Sequence, residues 1–170
     1  MMWREYVIEA RKFDLTANWP QSHRFVHAFT GLVSDYGELI EATTPGNRME
    51  EMGDMFWYLH ILCDLAHVDD IEDFDLNPAP TGTVFCPMAD TAKRWFVAGK
   101  VPSEAQLRQH VRDVLALMCD RSQGIHFSDA LQKNIEKLNL RTANKAKTYA
   151  DTADEAARDR AAEAAIFESK

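Results

Sequence analysis

The chain has 170 residues, of which 46% are hydrophobic and 27% are charged, and its 19 Lys and Arg against 27 Asp and Glu give a formal net charge of −8. This is the length of one globular domain. An acidic surface repels phosphate backbones and anionic lipids, which argues against duplex nucleic acid or a membrane surface as the partner. No uncharged stretch reaches the roughly 18 apolar residues of a membrane span, and the N-terminus lacks the apolar core of a signal peptide, so we expect a cytoplasmic protein.

Three cysteines are widely spaced along the chain and form no C-x-x-C pair. They are Cys63, Cys86 and Cys119. An odd number of isolated cysteines fits a reducing compartment, and paired zinc ligands are not present in the pattern. We expect these residues to be small buried hydrophobes.

Apolar spacing in the first half of the chain predicts two long helices. The first covers residues 21–42, and the second runs from about 48 to 67 after a capping box of Asn47 and Glu50. Because the connection is short, the two helices should form an antiparallel hairpin. An acidic, proline-rich loop follows at about 69–86.

The second half of the chain also has a helical pattern, punctuated by proline and glycine. One helix has Pro87 in its first turn and ends at Gly99, and a capping box of Ser103 and Gln106 opens the next. The remaining predicted boundaries are about 121 for the end of that helix, 128–141 for the helix after it, and 151–167 for an alanine-rich helix within a C-terminal tail of about 143–170. No convincing strand pattern is present, so residues 1–170 are expected to form a single all-α domain.

The two helices of the predicted hairpin contain the same four-residue pattern, acid-x-Gly-acid. The two copies are Asp35-Tyr36-Gly37-Glu38 and Glu51-Met52-Gly53-Asp54. Since positions i and i+3 share a helix face, each copy presents two carboxylates, and the hairpin can bring both pairs face to face. Four converging carboxylates repel one another unless some are protonated or a cation neutralises them. Oxygen ligands select Mg²⁺ or Mn²⁺, so Asp35, Glu38, Glu51 and Asp54 form a candidate metal site.

The glycine in each copy of the pattern supports this interpretation. Glycine inside a helix costs about 1 kcal/mol relative to alanine, so close approach of a neighbouring helix or a ligand is expected at Gly37 and Gly53. A single acid pair is more typical of a solvated helix face. Two matching pairs with interior glycines favour the metal site.

These motifs resemble those of the MazG-like all-α nucleoside triphosphate pyrophosphohydrolases. The signature of that family is E-x-x-E and, after a dozen or more residues, E-x-x-D; here twelve residues separate the pairs, and Asp35 replaces the first Glu. Further phrases that resemble the family are Ala92-Lys93-Arg94, Asn134-Ile135-x-Lys137-Leu138-x-x-Arg141, and Ala156-x-Arg158-Asp159 with Glu163. The resemblance extends over about residues 23–166, with Ala157 standing where the family commonly has Asn.

The resemblance implies an antiparallel helical bundle that hydrolyses a nucleoside triphosphate to the monophosphate and pyrophosphate, with Mg²⁺ or Mn²⁺ as cofactor. Asp35, Glu38, Glu51 and Asp54 would bind the metal, and Glu38, Glu51 and Asp54 would be catalytic, with Glu38 orienting a water or accepting its proton. The expected phosphate-binding residues are Lys93, Asn134, Lys137, Arg141 and Arg158. The candidate walls of a base pocket are Trp19, His23 and His27.

Simpler interpretations of these residues remain open. The cations of the late phrase could be a solvated basic face, and the aromatic and His residues could be packing. His23 and His27 have a zinc-like spacing, but Arg24 stands where a zinc hydrolase of the H-E-x-x-H type has Glu. Glu41, one turn after Glu38, is either a further metal ligand or a solvated acid.

The expected substrate is a purine deoxynucleoside triphosphate, dGTP first, because members of the viral and bacterial branch trim deoxynucleotide pools. This places the protein in a bacterial cell or a virus-infected bacterial host. The resemblance also implies a homo-oligomer, with a tetramer favoured over a dimer, and a thin catalytic unit would expose Phe56, Trp57 and Trp95 for burial against another copy.

Two rival functions compete with this one. A di-iron carboxylate bundle needs Glu-x-x-His, and no Glu in the chain has a His three residues later. The alternative that stays open is a non-catalytic acidic helical interaction module whose tail, residues 143–170, packs against a partner.

Overall fold

The computed structural model describes residues 1–72, 74, 82–143 and 160–168, and over these residues the chain is helical and contains no strand. The helices are α1 (Trp3–Ala10), α2 (Gln21–Glu41), α3 (Pro45–Leu65), α4 (Phe85–Ala92), α5 (Glu104–Arg121), α6 (Phe127–Ala143) and α7 (Arg160–Glu168), with a 3₁₀ turn at Gly82–Val84 and a π-helical turn at Lys93–Val97. The predicted all-α class is confirmed. Within the described ranges, none of the helices combines the length and apolar character needed to cross a membrane.

Helices α2 and α3 form the predicted hairpin, joined by residues 42–44. Arg24 on α2 pairs with Asp64 at the far end of α3, at 3.3 Å. Midway along the hairpin, Gly31 faces the ring of Tyr58, and a methyl group at position 31 would overlap that ring. As the residue number rises along α2, the number of its partner on α3 falls, so the hairpin is antiparallel. The two acid pairs therefore lie near the connecting turn.

The start of α3 differs from the prediction. The cap is Thr44, whose Oγ1 accepts a hydrogen bond from the backbone N–H of Asn47 at 3.1 Å, so Asn47 lies inside the first turn. Pro45 occupies the first helical position, where its missing N–H leaves no donor unsatisfied. The helix therefore begins three residues earlier than the predicted capping box of Asn47 and Glu50 implies.

Helix α3 is the centre of the core, because α1, α2, α5, α6 and α7 all pack against it. Its side chains are buried on almost every face from Met52 onward. The prediction that Phe56, Trp57 and Trp95 would be exposed is wrong: Phe56 is fully buried, Trp57 is 8% exposed and Trp95 is 7% exposed. These aromatic residues are covered by the chain's own helices, so they do not form the exposed patch that was expected to pack against another copy.

Helix α1 is absent from the sequence prediction, because one short helix gives too little periodicity to detect. It buries Trp3, Tyr6 and Ala10 against the bundle. Trp3 contacts the ring of Phe56 with the ring centres 6.0 Å apart. This contact is one reason why the aromatic residues of α3 are covered.

The later boundaries agree with the prediction in most places. Ser103 and Gln106 form the predicted capping box, and Gly99 adopts φ +64° after the π-helical turn. Helix α6 begins at Phe127, so Ser128 lies within its first turn instead of capping it. Of the predicted loop at 69–86, residues 73 and 75–81 lie outside the described residues, and the segment from Gly82 is already helical. The predicted helix at 151–167 corresponds to α7, and residues 151–159 also lie outside the described part.

The three cysteines are free thiols in different environments. Cys63 is buried, as expected for a small hydrophobe, and Cys119 is half-buried. Cys86 is exposed, so the expectation of burial is wrong there. It lies in the first turn of α4, where the side chain points away from the core.

The two glycines of the repeated acid pattern have different surroundings. A Cβ at Gly53 would lie 3.1 Å from Cβ of Asn134 and 3.3 Å from the carbonyl oxygen of Ala130, so α6 approaches α3 closely at this point. A Cβ at Gly37 would meet no atom within 4 Å in the described part of the chain. The expected close approach of a neighbouring helix is therefore confirmed for Gly53 alone.

This difference predicts opposite effects for the same substitution. Gly53→Ala should lower the free energy of unfolding by about 1–3 kcal/mol, because the added methyl group presses on the α6 backbone. Gly37→Ala should raise it by up to about 1 kcal/mol, because alanine is the better helix former at an open position. Urea unfolding measures the free energy of unfolding of both variants. Equal changes in the two variants would contradict the close packing at Gly53 and the open position at Gly37.

Candidate functional site

The four carboxylates of the repeated pattern lie together at the turn end of the hairpin, and we call them the acid cluster (Asp35, Glu38, Glu51 and Asp54). Asp35 and Glu38 project from α2, and Glu51 and Asp54 from α3. Glu38 is exposed, and the other three are half-buried. The hairpin therefore brings both predicted pairs into one region.

Burial and mutual repulsion raise the pKa of two members of the acid cluster. The pKa of Asp35 is raised to about 8, first by burial and then by the charges of Asp54, Glu51 and Glu38. The pKa of Glu51 is also raised to about 8, first by burial and then by Asp54 and Glu38. One oxygen of Asp35, Oδ2, is buried and has no hydrogen-bond partner. In the absence of a cation, two of the four carboxyl groups therefore hold their protons at neutral pH.

These residues fit a hard divalent cation in chemistry but do not form a closed coordination shell. All four donors are carboxylates, which suit Mg²⁺ or Mn²⁺, and the unpaired Oδ2 of Asp35 is a free ligand atom. Among the described residues, however, no group of three or more His, Cys, Asp or Glu side chains is arranged to hold a metal ion. Ion binding would therefore require the carboxylates to draw closer together.

A cation from α6 already neutralises one member of the acid cluster. Lys137 Nζ lies 2.5 and 2.6 Å from the two carboxylate oxygens of Asp54 and 3.3 Å from Oε1 of Glu50. Asn134 Nδ2 donates a second hydrogen bond to Asp54 Oδ1 at 2.8 Å. Asn134 and Lys137 are fully buried, so the solvated basic face considered for them is wrong.

Arg141, the third predicted phosphate-binding residue of α6, is paired with a carboxylate from α7. Its Nε and one terminal nitrogen lie 3.0 and 2.9 Å from the two oxygens of Glu163. Burial lowers the pKa of Arg141, but the hydrogen bond to Glu163, together with the charges of Asp54, Glu163 and Glu50, outweighs this effect and raises the pKa. Phe167 lies on α7, as Glu163 does, and its ring centre is 5.6 Å from Nζ of Lys137. Helix α7 therefore covers the cations of α6, a pairing that the sequence did not reveal.

Two other predicted phosphate-binding residues are not brought to the acid cluster. Lys93 is exposed in the π-helical turn, and no ion pair or hydrogen bond joins it to the cluster in the part of the chain that the structure describes. Arg158 lies outside the described residues, as does Asp159 of the same phrase.

The predicted base-binding residues separate into two groups. Trp19 contacts His27 with ring centres 5.8 Å apart, and His27 contacts Tyr58 at 5.3 Å. We call these three side chains the aromatic row. His23 packs instead against Phe96, at 4.9 Å. His23 and His27, which are one turn apart on α2, therefore have different ring partners.

The aromatic row leads toward the acid cluster. Tyr58 lies one helical turn after Asp54 on α3, and it packs on Gly31, one turn before Asp35 on α2. Trp19, at the other end of the row, is 48% exposed. Sequence reasoning missed Tyr58, although its i+4 spacing from Asp54 was a usable signal.

A second polar cluster lies at the opposite end of the hairpin. Asp14 accepts hydrogen bonds from Arg24 at 2.7 Å and from the backbone N–H of Thr16 at 2.8 Å. His60 is buried with Nε2 at 4.0 Å from Asp14, and burial lowers the pKa of His60 to about 4. Arg24 also reaches Asp64, so this cluster ties the segment before α2 to the end of α3.

Comparison with known proteins adds no relative. No protein-family model matches the chain. No curated protein matches its sequence, and no solved structure matches its fold.

The acid cluster predicts a pH dependence of stability in the absence of divalent cations. Native Asp35 and Glu51 hold their protons up to about pH 8, whereas carboxyls of the unfolded chain release theirs near pH 4. Between these values the native state binds more protons, so the contribution of both groups to the free energy of unfolding falls as the pH rises from about 4 to 8.

Neutral variants measure this contribution. Asp35→Asn and Glu51→Gln should raise the Tm at pH 8.5, by about 2–4 °C for each kcal/mol of repulsion relieved, and have little effect at pH 4. Glu136→Gln, at an exposed carboxyl of α6, is the matched control. A gain in Tm that is independent of pH would contradict the account.

Proposed function

We propose that the chain is a Mg²⁺-dependent nucleoside triphosphate pyrophosphohydrolase of the MazG-like type, which converts a nucleoside triphosphate to the monophosphate and pyrophosphate. The observation that carries the proposal is the convergence of two acid pairs across one hairpin, with the pKa of both Asp35 and Glu51 raised to about 8. Such a concentration of carboxylates costs stability, and a role in holding a cation explains why it is present.

Each member of the acid cluster has a role in this proposal. Asp35, Glu38, Glu51 and Asp54 would hold the divalent ion, which when bound neutralises phosphate charge and acidifies a water. Glu38 is exposed, and among the described residues it accepts a single long hydrogen bond, from Ser34 at 3.4 Å, so its carboxylate would be available to take a proton from that water. Asp35 has a shorter side chain than the Glu of the family signature, and its buried Oδ2, which has no hydrogen-bond partner among the described residues, would be its ligand atom.

The α6 residues support the proposal by holding Asp54 and by supplying positive charge. Asn134 and Lys137 bind both oxygens of Asp54, which directs this carboxylate. Lys137 and Arg141 are the cations that a polyphosphate would use once it competes with Asp54 and Glu163 for them. Each exchange replaces one anion by another, so no buried cation is left unpaired.

The aromatic row supports a base-binding role on one side of the acid cluster. Trp19, His27 and Tyr58 offer apolar ring surface, and burial lowers the pKa of His27, which keeps its ring neutral. Stacking on such rings tolerates any base. The preference for a purine deoxynucleoside triphosphate, dGTP first, therefore rests on the resemblance to the viral and bacterial branch of the family.

The interaction-module alternative is disfavoured by α7. If α7, the described part of the tail, served a partner, its larger apolar and charged side chains would be available on the surface. Instead, Phe167 is buried on α3 and α6, and Glu163 is buried against Arg141 of the same chain. Assembly into a tetramer or dimer stays part of the proposal through the family resemblance, without support from Phe56, Trp57 or Trp95.

The test is pyrophosphate release from the eight common nucleoside triphosphates with Mg²⁺ or Mn²⁺. Wild type should release pyrophosphate and the matching monophosphate in a metal-dependent reaction, fastest with dGTP. Glu51→Gln should lose about 100-fold or more in kcat while remaining folded, because it removes a ligand and also relieves repulsion. Glu136→Gln changes the same charge on the surface of α6 and should keep wild-type turnover.

Three results would count against the proposal. Release of orthophosphate would indicate a different bond cleavage, and undiminished turnover by Glu51→Gln would remove the acid cluster from the chemistry. No turnover of any triphosphate by folded wild type would favour the interaction module. A preference for pyrimidine triphosphates would overturn the substrate assignment alone.

A further inference from the structure

Tyr6 connects helix α1 to the acid cluster through one intermediate residue. Its ring is fully buried and stacks on Trp3 with ring centres 5.6 Å apart. Its hydroxyl donates a hydrogen bond to Oδ1 of Asn134 at 2.9 Å, across 128 residues of chain. Tyr6 also lies before residue 23, where the resemblance to the pyrophosphohydrolases begins, so nothing in that resemblance assigns it a role.

Asn134 is held at three points. Tyr6 binds its carbonyl oxygen, Asp54 accepts from its NH₂ group at 2.8 Å, and its Cβ lies against the bare Cα of Gly53. A side-chain amide has its acceptor and its donor on opposite ends, so a donor at Oδ1 and an acceptor at Nδ2 select one of the two flipped orientations. The reverse orientation would place the carbonyl oxygen of Asn134 against the carboxylate of Asp54.

The hydroxyl of Tyr6 remains a donor at neutral pH. Burial, together with the nearby charge of Asp54, raises the pKa of Tyr6 well above its usual value. The hydrogen bond from Tyr6 goes to the carbonyl oxygen of Asn134 and involves no atom of Asp54, whereas the hydrogen bond between Asn134 and Asp54 would weaken if a cation shared that carboxylate. Tyr6 is therefore an anchor of Asn134 that is separate from Asp54.

We propose that Tyr6 is a positioning residue: it fixes the orientation of the Asn134 amide, and through it the direction in which Asp54 presents its carboxylate to the acid cluster. Its effect on turnover rests on the function proposed above, but its effect on the amide does not. Residues that orient a metal ligand from behind commonly change affinity or activity by about 10–100-fold.

The test compares two substitutions that each remove a single hydroxyl. Tyr6→Phe keeps the ring that packs on Trp3 and deletes the donor to Asn134. Tyr36→Phe, on α2, is the matched control, because the hydroxyl of Tyr36 has no hydrogen-bond partner among the described residues. Both proteins are prepared without metal for NMR and with saturating Mg²⁺ for kinetics.

The first readout is the side-chain NH₂ signal of Asn134 in ¹⁵N NMR spectra of the metal-free protein. Tyr6→Phe should shift this signal and speed its exchange with solvent by about tenfold or more, because the amide loses an anchor and opens more often. Tyr36→Phe should leave the signal at its wild-type position. An Asn134 signal that does not change in Tyr6→Phe would overturn the proposal.

The second readout separates positioning from a merely structural role. Tyr6→Phe should lower kcat about tenfold with KM for the triphosphate within about twofold, because Tyr6 affects Asp54 and not the bound substrate. A changed amide signal with unchanged kcat would overturn the role in the reaction. If wild type has no turnover, the proposed function fails, and the NMR readout still decides whether Tyr6 orients Asn134.

A third measurement covers the case in which Tyr6→Phe does not fold. The wild-type spectrum should show a slowly exchanging hydroxyl proton of Tyr6, since this proton is buried and bonded to Asn134. Its absence from the spectrum of folded wild type would overturn the proposal without any variant.

Discussion

The close approach of α6 to α3 at Gly53 is the constraint on which the candidate site depends. It places Asn134 and Lys137 directly on Asp54, so one carboxylate of the acid cluster is balanced by a cation from inside the chain. The balance is mutual, because a fully buried Lys137 without Asp54 would keep only the longer pair with Glu50, at 3.3 Å, and breaking a buried ion pair typically costs about 3–5 kcal/mol. Among the described residues no ion pair joins Asp35 or Glu51 to a cation, and burial, followed by the charges of the neighbouring acids, raises the pKa of both to about 8.

The hairpin that carries the cluster is held by ion pairs at one end and by the short connection of residues 42–44 at the other. At one end, the ion pairs of Arg24 with Asp14 and Asp64 fix the register of α2 against α3. Between the ends, the ring of Tyr58 fills the space left by Gly31. The opposed acid pairs lie near the residues that connect the two helices, and Glu38 is the member left facing solvent. Placement of like charges on packed helices is what the proposed cation site would require.

Local pattern was sufficient to predict the hairpin, because both helices carry clear apolar periodicity and a short connection leaves them only one way to pack. It was also sufficient to predict that the two acid pairs lie close together and that a neighbouring helix packs closely at Gly53. It could not show that Lys137 is buried, that Arg141 binds Glu163 or that Tyr6 reaches Asn134, because these contacts join residues that are distant in sequence and leave no periodic signal. The expected exposure of Phe56 and Trp57 failed for the same reason, since the helices that cover them could not be placed from sequence.

The most direct test of the account is the location of a bound cation. A crystal grown with Mn²⁺ and measured at an anomalous wavelength should show a peak between α2 and α3, in coordination distance of oxygens of Asp35 and Glu51. The same crystal form of Glu51→Gln should lose most of this peak. Saturating Mn²⁺ with no anomalous peak between the two helices, and with Lys137 still bound to both oxygens of Asp54, would contradict the central claim that the acid cluster is a divalent-cation site.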